Sequence, residues 1–129
     1  MVNYPTAEEI VEANAVVVAE INVRKADKHE VLSKSKIEEI LENVKAAKGD
    51  LFDKAVVLLK GLVQKHPFAS GNRRTAFAVV ENFLRYNGEK AKINKASNPR
   101  IMQGIREDYY SDGEIKMWLK GGDMREFKR

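Results

Sequence analysis

The stretch "HPFASGNRRTAF", residues 66 to 77, decides how this chain of 129 residues is read. It sets a histidine, a Gly-Asn turn and two adjacent arginines between one apolar run and the next. A plain connection between two helices needs only a turn residue and a cap. Gly71-Asn72 offers residue types that take positive backbone dihedrals and turn successive amides inward, which makes a concave anion site at the start of the following helix. The first amides of that helix have no intrahelical partners and its dipole is positive at this end, so phosphate is favoured there. Arg73 and Arg74 add two cations whose planar forks suit phosphate oxygens. His66 stands a few residues before this nest, and its imidazole can serve as a general base near pH 7. Each residue also has a plain structural role open to it: His66 as a cap of the preceding helix, Phe68 as a core anchor, Gly71-Asn72 as a turn. Their combination is what points to a site that activates a hydroxyl while holding the phosphates it attacks.

On either side of this stretch the pattern is helical. Upstream, Asp50 caps the most apolar segment of the chain, Leu51 to Val63, which carries apolar residues on most sides and must stop before Pro67. Downstream, a helix over Thr75 to Tyr86 offers Phe77, Val79, Val80, Phe83 and Leu84 for burial, and Asn87-Gly88 stops it. Further out, Thr6 to Glu9 is a capping box for a helix from Ala7 to Asn22, whose inward positions include Ile10, Val11, Asn14, Val17, Val18 and Ile21. Residues 23 to 34 lack a sustained period and form a connection, with a short extended piece over Glu30 to Leu32. A second capping box, Ser35 to Glu38, opens a helix with Ile37, Ile40, Leu41 and Val44 on one face, and Gly49 ends it. Asn98-Pro99 starts a fifth helix, and Ser111 to Glu114 caps a sixth that Gly121-Gly122 closes. The expected fold class is all-α, a compact bundle of about six helices with a short extended flap, in one domain over residues 1–129.

The bulk numbers narrow the function. Cysteine is absent, so disulfides and thiolate metal sites are excluded. Residues 1 to 20 hold four glutamates and no basic region ahead of an apolar one, which argues against a secretion signal, and no apolar run is long enough to cross a bilayer. A cytoplasmic protein without a membrane partner follows. The net charge of +4 comes from 23 basic and 19 acidic residues mixed along the chain, with a basic excess only in the tail at Arg125, Lys128 and Arg129. Such dispersed charge describes a solvated surface, and a nucleic-acid partner is not expected.

The loop "HPFASGNRRTA" resembles the signature of the Fic/Doc superfamily, His-x-Phe-x-acid-Gly-Asn-(Gly or Lys)-Arg, and within it the Doc ("death on curing") toxin branch. The opening "YPTAEEIVEANA", the approach "AVVLLKGLVQKHPF" and the exit "AFAVVENFLRYNG" are similar to Doc proteins as well. The resemblance implies that His66 deprotonates a hydroxyl of a target protein, that Phe68 packs beneath the loop, and that Gly71, Asn72 and Arg74 hold nucleotide phosphates. It places Arg73 where nucleotidyl-transferring members have glycine and Doc has lysine. A bulky cation there is associated with ATP bound in reverse, so that its terminal phosphate is transferred. The implied function is a toxin of a toxin-antitoxin pair, a Doc-type kinase with ATP as substrate, an antitoxin as partner, and a target in the translation machinery such as elongation factor Tu. The alternatives are AMP transfer and a catalytically weakened binding module.

Two positions depart from the family pattern. Ser70 occupies the place of the acid that holds Mg2+, and a neutral hydroxyl is a much weaker ligand for a hard cation. Phe77 replaces the last motif arginine of nucleotidylating members, in line with the Doc branch. No metal ligand set is expected among the site residues. The segment Arg24 to Leu32 corresponds to the family's flap, and His29 within it reads as an exposed loop residue with no partner nearby in sequence. The inhibitory Ser/Thr-x-x-x-Glu-Gly/Asn motif of self-regulated Fic proteins is not found in this chain.

Overall fold

The most apolar segment is the hub. In the computed structural model, which describes residues 1–21, 29–93 and 98–128, it forms α3 (Leu51–Lys65), with Phe52, Ala55, Val56, Leu58, Leu59, Leu62 and Val63 all buried. Those residues cover more than one face, so α3 packs against α2 (Lys34–Ala46), α4 (Asn72–Tyr86), α5 (Asn98–Arg106) and α6 (Asp112–Leu119), while α1 (Ala7–Ile21) lies on α4 and α2. Each large aliphatic or aromatic side chain buried this way contributes roughly 1.5–3 kcal/mol. Gly61 permits the close approach of α2, because a Cβ there would lie 2.8 Å from Cγ2 of Ile40. The fold is all-α, and among the described residues the one extended pairing is an isolated antiparallel bridge between Val31 and Phe68.

Three helix starts follow the local rules. Reciprocal capping boxes form between Thr6 and Glu9, Asp50 and Asp53, and Ser111 and Glu114. The start of α2 differs from the expected one. Its cap is Ser33, whose hydroxyl accepts from the Lys36 amide at 3.3 Å, and not the box Ser35 to Glu38. The reason is tertiary: the amides of Leu32 and Ser33 donate to the Pro67 carbonyl, at 2.8 and 3.2 Å, which holds the chain extended up to Ser33 and lets the helix begin directly after it. Nor does Gly49 end α2. The helix stops at Ala46, and the Lys54 ammonium covers its free carbonyls by donating to Val44, Lys45 and Ala47, so Gly49 with φ of 110° serves the turn into α3 instead.

The tail that carries the basic excess also reaches the core through Phe127. Phe127 is 2% exposed, and its carbonyl accepts from Arg100 at 2.9 Å. Arg125 bonds Glu114 and the Tyr109 carbonyl and lies over the Tyr109 ring. No helix of the described residues is long and apolar enough to cross a membrane.

Candidate active site

The site is made where α3 ends and α4 begins. With Pro67 next in line α3 cannot continue, and His66 takes the left-handed conformation as its C-cap, with φ of 54° and ψ of 58°. Histidine is among the few residues that tolerate this region, so the plain capping role and an exposed imidazole are compatible in one residue. The chain then passes beside the segment that precedes α2, bridged to it at Phe68 and Val31: the Pro67 carbonyl accepts from Leu32 and Ser33, and the Ala69 amide donates to the Glu30 carbonyl at 3.0 Å. The short extended piece expected over Glu30 to Leu32 is present. Of the flap assigned to Arg24 to Leu32, residues 24–28 lie outside the described residues.

Phe68 is fully buried, at 0% exposure. Asn72 clasps it from both sides: its Oδ1 accepts from the Phe68 amide at 3.0 Å and its Nδ2 donates to the Phe68 carbonyl at 2.8 Å. The Asn72 side chain is therefore spent on the shape of the loop. Gly71 alone of the Gly-Asn pair has a positive φ, 75°, while Asn72 is already helical, so α4 starts three residues earlier than the sequence pattern suggests. This places Arg73 and Arg74 in the first turn of α4, both exposed, beside its free amides. Replacing Gly71 would impose strain, since its φ is unfavourable for side chains and a Cβ would sit 3.2 Å from Cγ1 of Val17.

A polar hub under the loop fixes its far end. Asn14 of α1 is completely buried, and its Nδ2 donates to the Ser70 carbonyl at 2.8 Å and to the Thr75 hydroxyl at 3.1 Å. Its Oδ1 is 2.8 Å from Nδ1 of His29, and because an amide oxygen only accepts, that nitrogen carries the proton. His29 is exposed as expected, but its lack of a partner was true only along the sequence: the partner comes from α1. The signal for Asn14 was a polar residue at an inward helical position, surrounded by Ile10, Val17 and Val18.

The resulting cleft, about 340 Å3, is lined by His66, Ser70, Gly71, Arg73, Arg74 and, from the end of α5, Arg106. Arg106 left no local signal, being far from the loop in sequence. Gln64, two residues before His66, brings it in by donating to the Ile105 carbonyl at 2.8 Å. The His66 imidazole is held below its ordinary value, first by partial desolvation and then by the cations Arg106, Lys36 and Arg73. A neutral imidazole accepts a proton at pH 7, as a general base must. Arg74 has a distant ion pair, 3.8 Å to Glu20, with both groups more than half exposed.

The donor set of this cleft does not suit a hard divalent ion. Mg2+ needs oxygen ligands, usually one or two of them carboxylates. Among the described residues no carboxylate lines the cleft, Ser70 offers a neutral hydroxyl, and the neighbouring groups include three cations. Among the described residues there is also no group of three or more His, Asp or Glu placed to hold a metal.

Comparison with known proteins agrees with this architecture. Over 38 residues the chain is 47% identical to a protein described as "Toxin Doc" from Mycolicibacterium smegmatis (strain ATCC 700084 / mc(2)155). That stretch covers 30% of this chain and 29% of that protein, so the match spans well under two thirds of either. The model of the "Fic/DOC family" matches residues 3–84, more than half of the chain and inclusive of α1 to α3, the loop and most of α4. The chain belongs to the Fic/DOC family.

Proposed function

We propose that this chain is a Doc-like toxin of a toxin-antitoxin pair and that it transfers the terminal phosphate of ATP to a hydroxyl of a target protein. The observation that carries this reading is the placement of a neutral imidazole at the lip of an arginine-lined cleft at the start of α4. In the proposed step the target's hydroxyl loses its proton to His66, its oxygen bonds to the terminal phosphorus, and the bond from that phosphorus to the bridging oxygen of ADP breaks. The departing charge falls on oxygens facing Arg73, Arg74 and the first amides of α4, where fixed dipoles and guanidiniums stabilise it. No part of this step is routed through a metal. An elongation factor Tu-like protein is the proposed target, and a short antitoxin is the proposed restraint.

Ser70 favours a second reading, in which transfer has been weakened and the chain acts as a binding module. One experiment separates the readings. The chain is incubated with ATP labelled at the γ or the α position and with a translation extract. Label from the γ position appearing on a protein, and lost in His66→Ala, supports phosphate transfer. Label from the α position overturns it in favour of AMP transfer. No transfer by the parent, together with Mg2+-dependent transfer by Ser70→Asp, supports the binding module.

A further inference from the structure

The cleft holds an unusual balance of charge. Several cations away from the cleft meet carboxylates: Lys60 meets Asp112 at 2.8 Å, Lys116 meets Asp53 at 3.0 Å and Asp50 at 3.3 Å, and Arg125 meets Glu114. Others, such as Lys54 and Arg100, are taken up by backbone carbonyls. Around His66 the cations are gathered together instead. Three guanidiniums face a space of about 340 Å3 whose lining, among the described residues, holds no acid, and among those residues only Arg74 has a carboxylate in reach, the exposed Glu20. Gathering like charges is unfavourable: the affinity of His66 for its proton is lowered first by partial desolvation and then by the surrounding cations, with Arg106 foremost among them.

The position of Arg106 is built by the same helix that carries the base. Gln64 of α3 pins the last turn of α5 through the Ile105 carbonyl, and Lys60 of α3 holds the following turn through Asp108 at 3.7 Å and Asp112 at 2.8 Å. A cation at the end of α5 gains a little from that helix's dipole. The dipole does not, however, require the last turn to be anchored against the end of α3.

An unchelated nucleoside triphosphate carries about four negative charges, and a divalent ion normally removes two of them before binding. A cleft with a carboxylate needs that ion to bridge acid and phosphate. A cleft with serine in the acid's place and a third arginine opposite has no such need: the guanidinium bonds phosphate oxygens directly. We propose that Arg106 is a third phosphate-gripping residue of this cleft and that the cleft holds a nucleoside triphosphate without a divalent ion, the guanidinium supplying the charge a metal would have brought. This rests on the reading of the cleft as an ATP site.

The test is calorimetric titration of the full chain with ATP, once in EDTA and once in excess Mg2+. The expected result is binding in EDTA at least as tight as in Mg2+, and Arg106→Gln weaker by about tenfold in EDTA, one charge-assisted contact being worth that much. Thermal unfolding of the same variant should be unchanged. If Arg106→Gln lowers the Tm, Arg106→Lys restores it by keeping a cation at the end of α5 and still binds ATP more weakly than the parent, lacking the fork. Tightening of the parent by tenfold or more on adding Mg2+, or an Arg106→Gln variant that binds ATP like the parent in EDTA, overturns the inference and leaves the ATP site standing. Absence of ATP binding by the parent under both conditions removes the inference and the ATP reading together.

Discussion

Arg125 and Arg106 belong to the same third of the chain, and the fold treats them in opposite ways. Arg125 is surrounded by partners: Glu114, the carbonyl of Tyr109 at 2.6 Å, and the Tyr109 ring with its centroid 4.1 Å away. Arg106 has no ion pair with any described residue and faces the cleft at His66. Both side chains reach solvent, so exposure does not distinguish them. The difference lies in what each charge does for the folded chain. An arginine whose donors are taken up by its own protein ties segments together. One held in place by its neighbours' backbone, with its fork left open, is available to something else. Asn72 and Asn14 show the same distinction among amides, since both are buried and fully engaged in shaping the loop. The cleft is thus a frame of satisfied polar groups carrying a rim of cations, of which Arg74 alone has an ion pair among the described residues, a distant one to Glu20.

This division can be broken or sharpened by experiment. The largest effect belongs to the rim: His66→Ala should reduce phosphate transfer on the order of 10^3-fold, the scale of a general base, while the chain stays folded. Transfer that persists at the parental rate would remove His66 from the chemistry. Next comes the frame, where Phe68→Ala empties a fully buried site under the loop and should cost about 3–5 kcal/mol in a urea titration. A loss much below that would mean that the loop is not anchored through the core.

A smaller effect concerns pH. The His66 pKa is displaced downward from 6.5, so the neutral, proton-accepting form persists to lower pH than in an ordinary histidine, and the acid limb of the transfer rate should lie below 6.5. Arg106→Gln should move that limb up. The sign for stability runs the other way: the unfolded chain binds this proton more readily than the folded one, so His66 lowers stability as pH falls through 6.5. The smallest effect is at the clasp in the tail. Arg125 and the Ser111 amide hold the Glu114 carboxyl at about 2, below its ordinary 4.5. Its contribution is present above 4.5 and fades as pH falls toward 2. Glu114→Gln should therefore lower the Tm slightly at pH 7, make a smaller difference as the pH approaches 2, and leave ATP binding untouched. A variant that weakened ATP binding would show that the tail and the cleft are coupled.

Much of this molecule is legible from local chemistry, because capping and periodicity act over three or four residues. The boxes at Thr6 and Ser111, the cap at Asp50 and the apolar wrap of α3 all formed as their spacing implies. The expectations that failed were those in which a distant group overrode the neighbours. Ser33 displaced Ser35 as a cap because Pro67 holds its amide, and Lys54 replaced a glycine at the end of α2. The early start of α4 followed from Asn72 reaching back to Phe68.

The sequence by itself determined the helices, the turn at Gly71, and a histidine followed by two arginines, since these depend on residues close together along the chain. Only the tertiary structure decided that Asn14 meets His29 and Ser70, and that Arg106 joins His66. Such meetings are settled by the packing of α1 on α4 and of α5 on α3. Packing depends on the shape and burial of whole helix faces, which no short stretch of residues specifies.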